Sequence, residues 1–257
     1  MSRKRRRKQD QPEVFAMSGG EAIGAFGYLA ATESTARSVI AFPTNSYIEL
    51  SSLTRSTIAQ KVRALDANLP IFTRIIQKIV QYSVGKGIFV KPATSDAEWN
   101  DLAQAKFENW ASNPGVYSID ASRDHYQDQA LSVSGMVMDG EFFEALVTSP
   151  NGAPMVQPLD PFEIGQPYAY GIDSRYVDGV EINKYGRPVA YSVEEMKPPN
   201  QMGAQGYRRV KAQDMIHMYR RRRARQVRGL SWFYSGINKG IDCLDLQALI
   251  TGTAKLH

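Results

Sequence analysis

The chain has 257 residues, 43% hydrophobic and 10% aromatic, with a net charge of +5, which suits one or two globular domains with enough aromatic bulk for a sizeable core. No run approaches the roughly 18 apolar residues that a membrane-spanning helix needs, and the charged start has no apolar stretch with a small-residue cleavage site behind it. A lone Cys243 excludes an internal disulfide and any cysteine-rich zinc module, so the expectation is a soluble, cytoplasmic protein in a reducing compartment.

Residues 1 to about 45 combine the basic run Arg3 to Lys8 with Gly- and Ser/Thr-rich stretches and weak periodicity, and read as a flexible basic arm without a defined partner. From Leu53 helical spacing begins: Leu53, Ile58, Val62 and Leu65 predict a first helix ending before Asn68-Leu69-Pro70. Pro70 opens a second, whose stripe is Phe72, Ile75, Ile76, Ile79 and Val80 and which Gly85 and Gly87 terminate. Ser95 and Glu98 fit a capping box for a third helix with Trp99, Ala103, Phe107 and Trp110 on one face. Asp120 is the expected cap of a fourth, carrying Tyr126, Ala130, Val133 and Val137 and ending at Gly140.

At Gly140 the period shortens. Strands are predicted at Glu141 to Thr148 and Met155 to Leu159 around an Asn151-Gly152 turn, then at Val177 to Asn183, Pro188 to Val193, Tyr207 to Lys211 and Ile216 to Tyr219, forming one small antiparallel unit. Ser231 to Lys255 returns to helix, with Ile237, Ile241, Leu244 and Ala248 aligned and Cys243 packed within it. The fold class is α+β: a helical N-terminal part, a small β unit and a long helix. The organisation is an arm over residues 1–45, a body over 46–230 and the start of a helical segment over 231–257.

Charge is distributed unevenly. Residues 1–8 and 207–228 together hold +14, which leaves −9 on the other 227 residues. An acidic body with two basic concentrations suits a partner bearing phosphates or carboxylates. Within the second concentration, Arg220, Arg221, Arg222, Arg223, Arg225 and Arg228 are candidates for contacts with a neighbouring subunit, for phosphate contacts or for simple solvated charge. Subunit contact is favoured, because arginine pairs bidentately with carboxylates and the body supplies them.

Enzyme signatures are missing. No segment matches the phosphate-cradling G-x-x-x-x-G-K-S/T pattern, and His125, His217 and His257 lie far apart without metal-ligand spacing. His217, between Ile216 and Met218, reads as structural. Glu141 and Glu144, three apart in a strand, point to opposite faces and make a poor metal pair, so a structural or solvated role is expected. Neither catalysis nor a cofactor is expected.

Four segments in this order resemble the lambda family of phage portal proteins. The first is Arg63-Ala64-Leu65-Asp66-Ala67-Asn68-Leu69-Pro70 followed by Val84-Gly85-Lys86-Gly87-Ile88. The second is Gly140-Glu141-Phe142-Phe143, similar to the family's entry into its sheet. The third runs from Gly179-Val180-Glu181-Ile182 to Gly186-Arg187-Pro188-Val189-Ala190-Tyr191 and is the most specific. The fourth joins Asp214-Met215-Ile216-His217 to Arg225-Gln226-Val227-Arg228-Gly229-Leu230-Ser231-Trp232.

The resemblance implies a subunit of a ring, a dodecamer in the full-length family, at one capsid vertex of the virion. Through it double-stranded DNA is packaged and ejected, and terminase, major capsid protein, scaffold and head-completion proteins dock on it. No membrane is involved, and assembly takes place in the bacterial host cytoplasm. The residues 46–230 would be the wing, and since the family continues through stem, clip and crown, the chain is expected to be an N-terminal portion. In this reading Gly85, Gly87, Gly140, Glu141, Gly186, Arg187, Pro188, His217, Gln226 and Gly229 are structural motif residues. The rival readings are a monomeric basic nucleic-acid-binding protein and a phage nuclease or packaging enzyme subunit.

Overall fold

The computed structural model describes residues 49–165, 176–195 and 206–254; the basic arm and residues 255–257 lie outside them. Helix α1 (Ser52–Asn68) starts where the Ser51 hydroxyl accepts the Thr54 amide at 3.2 Å and turns Arg55, Ala59, Val62 and Leu65 to the interior. Pro70 at the first position of α2 (Pro70–Ser83) leaves no amide unsatisfied. Only Phe72 and Ile76 of its stripe are buried, while Ile75 is 39% exposed. Helix α3 (Ala97–Ala111) is capped by the Asp96 carboxylate, at 3.0 Å from the Trp99 amide, and not by Ser95; its Trp99 faces solvent while Phe107 and Trp110 join an aromatic cluster with Tyr117 and His125.

A short helix that the sequence did not announce, α4 (Pro114–Tyr117), leads to α5 (His125–Met138). Asp124, with Gln127 completing a capping box, caps α5. Asp120 instead folds the preceding turn by accepting from Ser118 and Ser122.

The β structure is two sheets, not one unit. Strands β1 (Glu141–Thr148) and β2 (Pro154–Leu159) form the hairpin around Asn151-Gly152. Tyr176–Val177 (β3), Val180–Ile182 (β4), Pro188–Glu194 (β5) and Tyr207–Lys211 (β6) form a four-stranded antiparallel sheet in chain order. The predicted strand at Val177 to Asn183 is divided by a turn at Asp178-Gly179, where Asp178 takes a φ of 49°. A single 3-10 turn, Ala212–Asp214, then sends β7 (Met215–Tyr219) back beside β1, with Glu141 opposite Tyr219, giving the order β2-β1-β7. This change of sheet between β6 and β7 separates the two layers.

Phe143, Val180, Tyr191, Val193 and Met215 form one core around the strands; Val62, Leu65, Leu69, Phe72 and Ile237 form a second among helices. The closing helix α6 (Ile237–Ala254) begins after turns at 231–236, later than predicted. It buries only Ile237 and Gly240, so Cys243 is exposed, contrary to the packing role expected of it.

The first five residues of β1 are all buried, because α5 covers one face and the core around the strands takes Phe143 and Ala145 on the other. Glu144, on the α5 side, lies against Asp128, whose other oxygen accepts the Tyr117 hydroxyl at 2.9 Å. Burial first, then the neighbouring Asp128, raises the Glu144 carboxyl to about 8, so it keeps its proton at neutral pH. Its folded value is raised, so the stabilisation is complete below the unfolded value of 4.5 and is lost as pH rises toward 8. Glu144→Gln keeps a donor to Asp128 without a titratable proton. The urea midpoint of the variant is expected to gain on wild type steadily between pH 5 and 8, and a constant difference between the two would contradict the assignment.

Candidate functional site: an arginine loop on a buried charge cluster

The strand β7 runs straight into Arg220, Arg221, Arg222 and Arg223, and the chain returns through Arg225 at a φ of 62° to Gln226. Gln226 closes this loop from within. Its Oε1 accepts the Arg222 and Arg223 amides at 2.7 and 3.2 Å, its Nε2 donates to the Arg228 carbonyl at 2.8 Å, and its own carbonyl accepts the Tyr219 hydroxyl at 2.9 Å. A buried amide side chain bonding on both ends to backbone fixes a loop that sequence composition alone would leave free.

The loop side chains alternate in use. Arg221 donates to the Tyr219 hydroxyl at 3.1 Å, and Arg223 pairs with Glu49 at 2.9 Å. Arg220 and Arg222 form no ion pair among the described residues. They lie instead over aromatic rings, Arg220 at 5.7 Å from the Trp232 centroid and Arg222 at 4.3 Å from that of Tyr234. These four side chains, with Leu230 and Ser231, line a surface depression of about 220 Å³.

Arg228, grouped with the loop arginines by its place in the sequence, does not belong with them. It is 2% exposed. Its Nε and one Nη2 proton bind Glu141 at 2.9 and 2.7 Å, the other Nη2 proton goes to the Pro161 carbonyl at 2.9 Å, and Nη1 donates to the Ile164 carbonyl at 3.1 Å and to the Asp178 carbonyl. All five guanidinium donors are used inside the chain, which leaves nothing for a phosphate or a neighbouring subunit.

Glu141 is the centre of that cluster. It is fully buried and receives, besides Arg228, the Gly229 amide at 2.7 Å, His217 Nε2 at 3.2 Å and the charge of Arg55 at 3.4 Å. Arg55 in turn binds Asp178 at 2.6 Å. Two guanidinium cations thus balance two carboxylates. Burial alone would raise the Glu141 carboxyl, but Arg228, the His217 hydrogen bond and Arg55 outweigh it and hold the group well below the usual carboxylate range. His217, stacked between Phe143 at 4.1 Å and Tyr219 at 4.4 Å, is pushed down by burial, only partly offset by Glu141, and stays neutral near pH 7. The solvated role allowed for Glu141 and Glu144 does not hold, since both are buried.

Close backbone passage makes the cluster possible. A Cβ on Gly140, at φ +93°, would lie 2.1 Å from the Leu230 carbonyl carbon, and one on Gly229 2.1 Å from the Gly140 oxygen. Glycine at both positions lets these two segments cross and deliver the Gly229 amide to Glu141. Gly85 and Gly87 lie in the turn after α2, away from this crossing. Gly186 and Arg187 lie in the β4–β5 turn and Pro188 opens β5; there Asn183 Oδ1 accepts the Tyr185 and Arg187 amides at 2.9 and 3.0 Å, and the Arg187 side chain is exposed.

Sequence reasoning missed Arg55 and Asp178. The available signal was Arg55 and Arg63, eight apart on the inward face of a helix: Arg63 grips Asp139 at 2.8 and 2.9 Å and Asp160 at 2.8 Å. Arginines at core spacing imply buried carboxylates elsewhere. Breaking a buried pair from one side leaves an uncompensated charge, at a cost of about 3–5 kcal/mol. Glu141→Gln is expected to lose that much stability in chemical denaturation; a loss under about 1 kcal/mol, the range of a surface pair, would contradict the role given to Glu141.

A family model described as phage portal protein, lambda family, matches residues 42–249. A search of the curated proteins gave no match.

Proposed function

Because the chain belongs to the lambda family of phage portal proteins, we propose that it is a subunit of the ring at a capsid vertex through which double-stranded DNA enters and leaves the virion. The observation that carries this reading is a family match spanning both sheets and nearly all of the helical part. Residues 46–230 would then be the wing-like body, 231–257 the start of a longer helical segment and 1–45 a basic arm. The ring would be a dodecamer in the full-length protein, assembled in the host cytoplasm, with terminase, major capsid protein, scaffold and head-completion proteins as its docking partners.

A structural role is what the family reading implies. Among the described residues no group of His, Cys, Asp and Glu is arranged to hold a metal ion, and no helix is long and apolar enough to cross a membrane. A channel through which DNA slides must contact phosphates weakly and bases not at all. Fully engaged arginines such as Arg228 serve the fold, and the open ones on the loop serve contacts beyond the chain.

The test is assembly of the purified chain, and of a longer version carrying any natural C-terminal continuation, followed by light scattering and negative-stain imaging. Closed rings formed with or without DNA are the expected result. Salt-sensitive DNA binding by a protein that stays monomeric at every concentration would favour a monomeric nucleic-acid-binding protein, and metal-dependent DNA cleavage would favour a nuclease.

A further inference from the structure

In a ring each subunit presents two different surfaces, one to each neighbour. The three-stranded sheet has two such sides. At its β7 edge the chain runs on into the arginine loop, with Arg220 and Arg222 over Trp232 and Tyr234, rings that remain 43% and 40% exposed. At its β2 edge sits α3, tied there by Trp110, whose Nε1 donates to the Pro154 carbonyl at 2.8 Å, and by α4, which leads to the bridge between Ser118 and Val156.

The outward face of α3 is acidic and apolar together. Glu98 and Asp101 are exposed and form no ion pair among the described residues, and beside them Trp99 and Leu102 are 52% and 56% exposed. Carboxylates three apart on a helix have Cβ atoms about 5–6 Å apart, close enough together to meet two guanidinium groups that line a single depression. Guanidinium groups already stacked on rings have lost much of their freedom, which favours capture of paired carboxylates.

We infer that the Arg220/Arg222 pocket receives the Glu98/Asp101 face of α3 from a second copy of this chain, with Trp232 and Tyr234 packing on Trp99 and Leu102. The contact joins opposite sheet edges head to tail, as ring closure requires. It rests on the ring reading above and names the surfaces that make the ring.

The test uses four forms of the whole chain: wild type, Arg220→Glu/Arg222→Glu, Glu98→Arg/Asp101→Arg, and one form with all four changes. All of these positions are exposed, and near-UV circular dichroism checks that each form folds. Like charges facing each other should weaken self-association at least about tenfold in either double variant. Mixed in equal amounts, the two double variants offer each other one original and one charge-swapped contact, so rings of alternating subunits should form where neither variant assembles alone. The form with all four changes should form rings again.

Wild-type rings that are unaffected by the arginine reversal would overturn this inference and leave the ring reading standing. Wild type that never assembles would remove both. Reversal that spares assembly but abolishes binding to a DNA duplex would also overturn it, and would make the pocket a phosphodiester site.

Discussion

A single carboxylate, Glu141, ties α1, whose apolar residues belong to the helical core, to β1, β7 and the segment before α6, which belong to the core around the strands. Arg55 reaches it from α1, Arg228 and the Gly229 amide from the segment before α6, and His217 from β7; Asp178, through the two arginines, brings in the turn of the second sheet. The two apolar clusters are separate, one around the strands and one among the helices. Apolar contacts are not directional, so they do not by themselves fix the angle at which one cluster meets the other. A bidentate arginine-carboxylate pair is directional, and here it is fully enclosed.

The loop inherits that rigidity. Arg228 and Gly229 are its C-terminal anchor, Tyr219 at the end of β7 its N-terminal one, and Gln226 ties the two across the inside. With both anchors fixed by the Glu141 cluster, the loop presents Arg220 and Arg222 on an ordered base, and pre-organisation of this kind lowers the entropy lost when a partner binds. In the proposed ring each subunit would make the same contact with each neighbour, where a small angular error is repeated at all of them, and a stiff charged loop would answer that demand.

The sequence showed the long helices, the Asn151-Gly152 hairpin and the bounds of β6, because each is encoded by local periodicity and turn chemistry. It was less informative where long-range geometry decides. Nothing near Arg228 distinguishes it from Arg225, since its carboxylate lies 87 residues away. The passage of β7 to the other sheet depends on pairing partners and not on its own pattern. Some misses were legible in hindsight: Asp178-Gly179 is a strong hairpin signal inside a run that otherwise reads as one strand, and Asp124 with Gln127 fits a capping box as well as Ser95 with Glu98 does. Cys243 sits at a helical spacing that suggests burial, but α6 is covered only around Ile237 and Gly240.

The central claim, that the Glu141 cluster makes the arginine loop rigid, is tested most directly by amide hydrogen exchange at Arg222, Arg223 and Gly229. The account predicts that these amides are protected in the wild-type chain nearly as strongly as those of β1, and that Glu141→Gln lowers their protection together with that of the Asp178 turn under conditions where β1 and β2 remain paired. Loop amides that exchange in wild type at the rate of an unstructured peptide, or that keep their protection when Glu141 is neutralised, would contradict it.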